Sequence, residues 1–213
     1  FMATSCCPAW SVMAKKLFPE QANCISMALT PMTLTARLIK HHQPGAKVAF
    51  IGPCAAKKLE AMRRTVRSEV DFVLTFEEMA GIFEARHIDV NTLKEDPHGV
   101  NDASADGRNF AVSGGVAQAV VNVIKEKYPD REIKVANAEG LSECRKLMMM
   151  AKAGKYNGYL LEGMACPGGC VAGAGTMQSI KKSSVAVNMY AKQAEHQVAT
   201  GTHHVAELDK LVD

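Results

Sequence analysis

The sequence predicts an α/β fold in which largely parallel β-sheet is flanked by helices. Short apolar segments of strand length alternate along the chain with amphipathic segments of helical length, a pattern typical of parallel sheets. Loops that contain glycine or proline separate many of these segments. With 213 residues, of which 47% are hydrophobic, the chain is long enough for one domain or for two small lobes that share a cleft.

The first half of the chain contains most of the clear helix boundaries. Helices are predicted at residues 10–18, 31–41, 55–66 and 75–85, and strands at residues 47–51 and 71–74. Pro19 is expected to end the first helix, whereas Pro31 lies in the first turn of the second, where proline is favoured. Thr75 and Glu78 have the spacing of a capping box, so we expect the fourth helix to begin there.

The second half begins with a polar stretch at residues 91–107. It contains Pro97, Gly99 and Gly107, and therefore predicts a long loop that acts as a lobe boundary or as a mobile lid. Beyond it, Ser142 is expected to cap a helix. Helices are predicted at residues 116–127, 142–152 and 183–196, and strands at residues 133–138 and 156–161.

Charge and hydropathy exclude two classes of partner. The formal net charge is only +3 and 22% of residues are charged, so no overall field favours nucleic acid or a membrane surface. No apolar run approaches the ~20 residues that a transmembrane helix needs. The chain opens at Phe1 and reaches a cysteine motif almost at once, from which we expect upstream sequence to be missing. We expect a cytoplasmic protein, but because upstream sequence is expected to be missing, the absence of a leader in these residues does not exclude export.

Seven cysteines are many for this length, and their spacing is typical of metal ligands. An odd number in a chain this long is not the pattern of a small disulfide-bonded scaffold. Cys6 and Cys7 are adjacent, and Cys166 and Cys170 are separated by three residues. We interpret this spacing as a ligand set in a reducing compartment.

Three segments together supply five thiols. They are residues 4–10 (TSCCPAW), residues 52–60 (GPCAAKKLE) and residues 162–170 (EGMACPGGC). The loops of Cys54 and Cys166 follow predicted strands, and ligands in parallel α/β folds bind where strands end, so we expect these loops to converge.

Soft thiolates select zinc, copper or an iron–sulfur cluster. Zinc usually draws cysteines in close pairs, whereas two ligands here would come singly from distant loops. Glycines also crowd the last loop and would let backbone N–H groups and a bulky inorganic group approach: Gly168, Gly169, Gly173 and Gly175. The pattern therefore favours an iron–sulfur cluster over zinc.

These segments resemble the three signature motifs of FeFe hydrogenases, namely a TSCCP box, a PCxxK box and a MACxxGC box, in the order of the family. Residues 110–116 and 140–147 also resemble segments of that family. The resemblance implies that residues 1–213 are the C-terminal portion of an H-cluster domain, with two lobes around a buried metal-cluster cleft and a boundary near residues 91–107. It further implies the reversible conversion of protons and electrons to molecular hydrogen.

The resemblance also implies roles for individual residues. The implied ligands of a 4Fe–4S cluster are Cys7, Cys54, Cys166 and Cys170. Cys170 would also bridge to a diiron unit that carries carbonyl, cyanide and azadithiolate ligands. Lys57 would contact a cyanide, and Pro53 and Met164 would complete the cofactor-binding residues. Cys6 and Ser26 would relay protons, on the assumption that the Cys6 thiol titrates near its ordinary pKa of ~8.5.

Partners and alternatives follow from the same resemblance. A hydrogenase would act with a ferredoxin-like electron carrier and require maturation proteins, and we expect the relay carboxylates and the first cyanide-contacting loop of the family to lie upstream. One alternative is a hydrogenase-like iron–sulfur assembly protein without a diiron unit. Such relatives generally lack a thiol at the position of Cys6, which argues against this alternative. The other is a sensory hydrogenase, although no sensor module is visible before Asp213.

Overall fold

The computed structural model describes residues 1–94 and 102–208. Within these residues the strands are β1 (Met2–Ala3), β2 (Ala49–Gly52), β3 (Phe72–Thr75), β4 (Lys134–Glu139) and β5 (Tyr159–Met164). The α-helices are α1 (Pro8–Leu17), α2 (Pro31–His42), α3 (Ala56–Met62), α4 (Phe76–Ala85), α5 (Ala105–Asn109), α6 (Gly115–Lys127), α7 (Leu141–Lys152), α8 (Ile180–Lys192) and α9 (Val205–Leu208). Short 3₁₀-helices lie at Pro19–Cys24, Val90–Thr92, Cys170–Ala172 and Ala199–Gly201.

The strands form two separate parallel sheets. One has the order β1-β5-β4, and the other pairs β2 with β3. In the first sheet Met2 lies opposite Leu160 and Glu139 opposite Met164, while in the second Gly52 lies opposite Thr75. The predicted α/β class with largely parallel sheet is therefore confirmed.

The main core lies between the three-stranded sheet, α1 and α7. Trp10, Met148 and Leu161 are fully buried there. The Trp10 indole N–H donates to the Thr4 carbonyl at 2.9 Å, so its polar atom is also satisfied. Through these contacts α1, which directly follows the first cysteine box, is fixed against β5, which directly precedes the third.

Several predicted boundaries differ from the structure for local reasons. Ser142 does not cap α7. The N-cap is Gly140, whose φ of 82° is readily adopted by glycine and whose N–H donates to the Met164 carbonyl at 2.8 Å. Strand β5 begins at Tyr159 because residues 156–158 form a turn ending at Gly158, also with positive φ. The strand consequently runs to Met164, immediately before the third cysteine box.

Part of the predicted loop at residues 91–107 is helical. Residues 95–101 of it lie outside the described residues, but α5 begins at Ala105 and is capped by Ser104, whose hydroxyl accepts from the Gly107 N–H. Helix α5 packs on α8, where the Arg108 guanidinium donates to the Tyr190 carbonyl at 2.8 Å and lies over the Tyr190 ring. A helix of this length is too short for hydrophobic periodicity to reveal.

Across residues 1–94 and 102–208, no helix has both the length and the apolar character needed to cross a membrane.

Candidate metal centre

The three cysteine boxes meet at one cavity because each follows the carboxyl end of a parallel strand. Cys7 is the N-cap residue of α1, shortly after β1, Cys54 lies between β2 and α3, and Cys166 follows β5. They border a cavity of about 210 Å³. Its cysteines are Cys6, Cys7, Cys54, Cys166 and Cys170. Strand β1 has two residues and was not predicted, yet it places the first box beside the third.

The rest of the cavity wall is mostly apolar. Met164 lines it and is only 2% exposed, and small side chains contribute much of the remainder: Pro8, Ala9, Ala55, Ala56, Ala165 and Ala174. Lys57 is the cationic side chain that borders it. Such a wall lowers the local dielectric constant and strengthens electrostatic interactions inside the cavity.

Lys57 is held by a buried acidic partner that the sequence interpretation missed. Its Nζ lies 2.6 Å from Glu60 Oε2 and donates to the Cys6 carbonyl at 3.3 Å. Both side chains of the pair are about nine-tenths buried or more. Positions three apart on a helix are neighbours, so the spacing of Lys57 and Glu60 on α3 was a signal that could have found the pair.

Burial changes the acidity of the thiols. It raises the pKa of Cys6 to about 12, helped by the neighbouring Cys7 and Glu162, so the expectation of an ordinary pKa near ~8.5 is wrong for this environment. Burial and the nearby Cys54 and Cys7 raise the pKa of Cys170 to about 11, and the same causes raise that of Cys166. Thiols so placed become thiolates only when positive charge joins them, as it does on metal binding.

The glycines after Cys166 make room for protein backbone. A Cβ on Gly173 would lie 2.3 Å from the Pro53 carbonyl oxygen, and one on Gly175 would lie 2.3 Å from Thr75 Cβ. The Gly175 N–H also donates to that Pro53 carbonyl at 2.9 Å. The glycine-rich segment that follows the third box therefore packs closely on the second box, a role that the sequence interpretation did not include. Pro53 itself lies outside the cavity lining and contributes through its carbonyl.

Cys6 borders both the cavity of the five cysteines and a second cavity. The second cavity has a volume of about 430 Å³ and is bordered by Cys6, Ser5 and Ser26 together with apolar side chains. Ser26 is absent from the lining of the first cavity. Its hydroxyl accepts from the Ala28 N–H at 3.1 Å, and the Ser5 hydroxyl donates to the Ala28 carbonyl at 3.0 Å. Cys6 and Ser26 therefore share a cavity on the side away from the other cysteines.

All seven cysteines fall in the described part of the chain and are free thiols. Cys144 is buried in the core, where its thiol lies 3.4 Å from the Ala138 carbonyl oxygen. Cys24 is half-buried in the 3₁₀-helix that follows α1. Both lie outside the cavity lining, as the interpretation of the three boxes requires.

Curated proteins similar to this chain include several hydrogenases. The chain is 30% identical to the periplasmic Fe hydrogenase large subunit of Nitratidesulfovibrio vulgaris, covering 81% of this chain and 50% of that protein. It is 25% identical to iron hydrogenase 1 of Clostridium pasteurianum, covering 99% of this chain and 45% of that protein. The chain thus spans half or less of the length of these relatives. The nuclear prelamin A recognition factor of Homo sapiens is also similar, with 27% identity over 84% of this chain and 48% of that protein.

Solved structures show the same fold. The chain superposes with a TM-score of 0.76 on an FeFe-hydrogenase whose structure was solved in a study of oxygen inactivation. The two are 22% identical, and the match covers 99% of this chain and 70% of that one. A variant of FeFe-hydrogenase HydA1 from Chlamydomonas reinhardtii gives a TM-score of 0.75, also at 22% identity, with 99% and 71% coverage. The family model described as the iron only hydrogenase large subunit, C-terminal domain, matches residues 1–174. Since this match covers most of the chain, the protein belongs to the iron-only hydrogenase large-subunit family.

Proposed function

We propose that this chain is the catalytic portion of an FeFe hydrogenase, which converts protons and electrons reversibly to molecular hydrogen. The observation that carries the proposal is the convergence of thiols from three distant loops on one apolar cavity. In this proposal residues 1–213 are the C-terminal part of an H-cluster domain. The ligands of its 4Fe–4S cluster are Cys7, Cys54, Cys166 and Cys170.

The donor set fits an iron–sulfur cluster and its attached diiron unit. Four soft thiols match the usual count of ligands for a 4Fe–4S cluster, and a fifth, Cys6, remains for another role. The raised pKa values of Cys166 and Cys170 indicate thiols that need a cationic group in order to ionise. When bound, the cluster would supply electron transfer and the diiron unit would supply the chemistry of hydrogen, and Cys170 is the residue proposed to hold both.

Lys57 and Met164 would shape the part of the cavity that holds the diiron unit. The Lys57 ammonium, fixed by Glu60, offers a buried positive charge to an anionic ligand such as cyanide. Met164 contributes apolar surface that limits the access of water. Pro53, through its carbonyl, keeps the glycine-rich segment against the second box.

Cys6 would hold and transfer a proton at its Sγ atom. Its raised pKa keeps the thiol protonated at rest, so in a relay Sγ would take up a new proton as it passes its own proton on. Cys6 borders both cavities, whereas Ser26 borders only the second. A proton would therefore pass between Cys6 and Ser26 through the second cavity, away from the cluster. We propose a ferredoxin-like protein as electron carrier and dedicated maturation proteins as the source of the diiron unit.

The test is anaerobic expression of the protein extended at its N-terminus by the expected upstream part of the domain, together with the maturation enzymes. We expect infrared bands of metal-bound carbonyl and cyanide, hydrogen evolution with a reduced viologen dye, and about four iron and four sulfide ions when only the cubane is reconstituted. Cys54→Ala should remove the cluster and every one of these signals.

Two other outcomes would redirect the assignment. A stable cluster without carbonyl or cyanide bands after maturation would favour a role in iron–sulfur assembly. One protein of that class is the cytosolic Fe-S cluster assembly factor NAR1 of Kluyveromyces lactis. The chain is 26% identical to it, over 61% of this chain and 29% of that protein. Stoichiometric zinc with no charge-transfer absorption would contradict the cluster itself.

A further inference from the structure

The loop that carries Cys166 and Cys170 has few side chains with which to fix its own position. Its interior is Pro167, Gly168 and Gly169, and both glycines have φ above 90°. A loop of this composition is flexible in isolation. Yet two thiols that share a cluster must be placed within a fraction of an ångström, so the surrounding chain has to supply the constraint.

The constraint comes from the backbone of residues 111–113. The Ser113 N–H donates to the Gly168 carbonyl at 3.1 Å, and the Val171 N–H donates to the Ala111 carbonyl at 3.0 Å. Contact is so close that a Cβ on Gly169 would lie 2.6 Å from the Ser113 nitrogen. The position of the cysteine loop therefore depends on the position of residues 111–113.

Those residues are in turn fixed by Glu162, a residue of β5. Its carboxylate is fully buried and accepts from the Gly114 N–H on one oxygen and from the Ala117 N–H on the other, both at 2.6 Å. Helix α6 begins at Gly115 and its N-cap, Gly114, has no side chain, so Glu162 supplies the cap from a different element. Burial raises the pKa of Glu162 above its ordinary value, and the N–H donors offset part of this increase.

A second carboxylate holds the same loop more directly. Glu139, the last residue of β4, accepts from the Gly168 N–H at 2.7 Å. Its side chain is exposed, so water can replace this contact in a variant, whereas nothing but protein surrounds Glu162. We therefore expect the loop to depend more on Glu162 than on Glu139.

We propose that Glu162 is a positioning residue for the metal centre, which fixes Cys166 and Cys170 by tying the start of α6 to the strand that precedes them. Glu162 lies outside the cavity lining and acts through residues 111–114 and through the loop that they contact. This inference rests on the proposed function, because Glu162 can position Cys166 and Cys170 for a cluster only if these two cysteines bind one.

The test replaces Glu162 with Gln, which keeps the size but turns one acceptor into a donor that faces an N–H. Loss of a group that hydrogen-bonds directly to a metal ligand weakens metal binding about 10- to 100-fold. Glu162 acts one step further away, so anaerobic loss of iron to a chelator should accelerate by up to about 10-fold. The spectrum of the reduced cluster in electron paramagnetic resonance should broaden, while circular dichroism of the apo-protein stays unchanged. Glu143→Gln, on the exposed face of α7, is the matched control and should behave as wild type.

A second variant covers the case in which Glu162→Gln does not fold. Gly169→Ala leaves the α6 cap intact but pushes the loop away from Ser113, and it should also release iron faster. Iron release and resonance spectra equal to wild type in whichever of these variants folds would overturn the inference. Wild-type protein that binds no cluster would instead contradict the proposed function, so the two failures are distinguishable.

Discussion

Cys6 and Cys7 are neighbours in the chain but lie in different surroundings. Cys7 is the N-cap residue of α1 and packs against the main core. It also borders the cavity of the five cysteines. Cys6 borders that cavity and the second one, and its carbonyl accepts from Lys57. Side chains of adjacent residues at a helix start diverge, so only one of the two thiols is expected to ligate the cluster.

Exchange of either thiol should separate the two roles. In an active, matured protein, Cys6→Ser and Cys6→Ala should lower hydrogen turnover by roughly two or more orders of magnitude, the scale of a lost general acid–base group. In the same buried surroundings a hydroxyl still has a higher pKa than a thiol, so even the conservative change should relay poorly. Iron content and carbonyl bands should remain near wild type.

The control for this prediction is Cys7→Ala, which should lose the cluster together with all activity. Iron content and turnover are to be measured for both positions in parallel. Loss of iron in Cys6→Ala with retention in Cys7→Ala would reverse the two assignments.

Among the secondary-structure elements, α1 and β5 are joined by one tight contact. Trp10 lies directly on Gly163, where a Cβ would come within 2.2 Å of the indole ring. Gly163 thus has a packing reason within a strand, where glycine otherwise weakens structure. The contact holds the first cysteine box against the third without involving any thiol.

Gly163→Ala should therefore destabilise the apo-protein. Because the indole ring is rigid and fully buried, we expect a loss of about 1–3 kcal/mol in the free energy of unfolding, the usual range for overpacking. Trp10 is the single tryptophan of the chain, so its fluorescence reports both the unfolding transition in urea and the displacement of the ring.

Gly81→Ala is the matched control for this substitution. Gly81 lies inside α4 and a Cβ there would meet nothing within 4 Å. Alanine is favoured over glycine in a helix by about 0.5–1 kcal/mol, so the control should be stabilised. Equal effects of the two substitutions would show that the Trp10 contact is not the cause.

At the scale of the whole molecule, polar contacts tie α2 to the two-stranded sheet. Asp71 accepts from the Val48 N–H at 2.8 Å and forms ion pairs with Lys40 and Lys47. The Arg37 guanidinium donates to the Val66 carbonyl at 2.8 Å in the same region. These contacts attach the part of the chain that carries Cys54 to the preceding helix.

Asp71 should make the stability of the protein depend on acid pH. The Val48 N–H, followed by the lysine ammonium groups of Lys40 and Lys47, holds the pKa of Asp71 well below its ordinary value of about 3.9. A lowered folded-state pKa contributes stability above the unfolded-state pKa and loses it as pH falls through the folded-state pKa. The difference in the free energy of unfolding between wild type and Asp71→Asn, measured in urea, should therefore be full at pH 7 and should shrink progressively as pH falls below about 4.

Asp130→Asn, in an exposed turn, provides the comparison for a simple change of surface charge. It should leave the pH dependence of unfolding as it is in wild type. A difference between wild type and Asp71→Asn that stays constant down to pH 2 would contradict the assignment of Asp71.

The accuracy of the sequence prediction varied with the length and locality of each element. The capping box of Thr75 and Glu78 is present as predicted, because both of its hydrogen bonds join residues three apart. The two-residue strand β1 and the short helix α5 were missed, since neither is long enough to show a hydrophobic period. The cap of α7 was placed on Ser142 because a bond from Gly140 to Met164 has no local signature.

What the sequence determined by itself was the set of cysteine boxes, the parallel α/β class and the family to which they belong. These depend on residue types at fixed spacing and on periodicity, which act within a few residues of the chain. Only the tertiary structure decided that Cys6 borders two cavities, that Glu60 holds Lys57 and that Glu162 caps a helix 48 residues away from it in sequence. Burial and hydrogen-bond partners depend on which distant segments pack together, and that packing is a property of the whole fold.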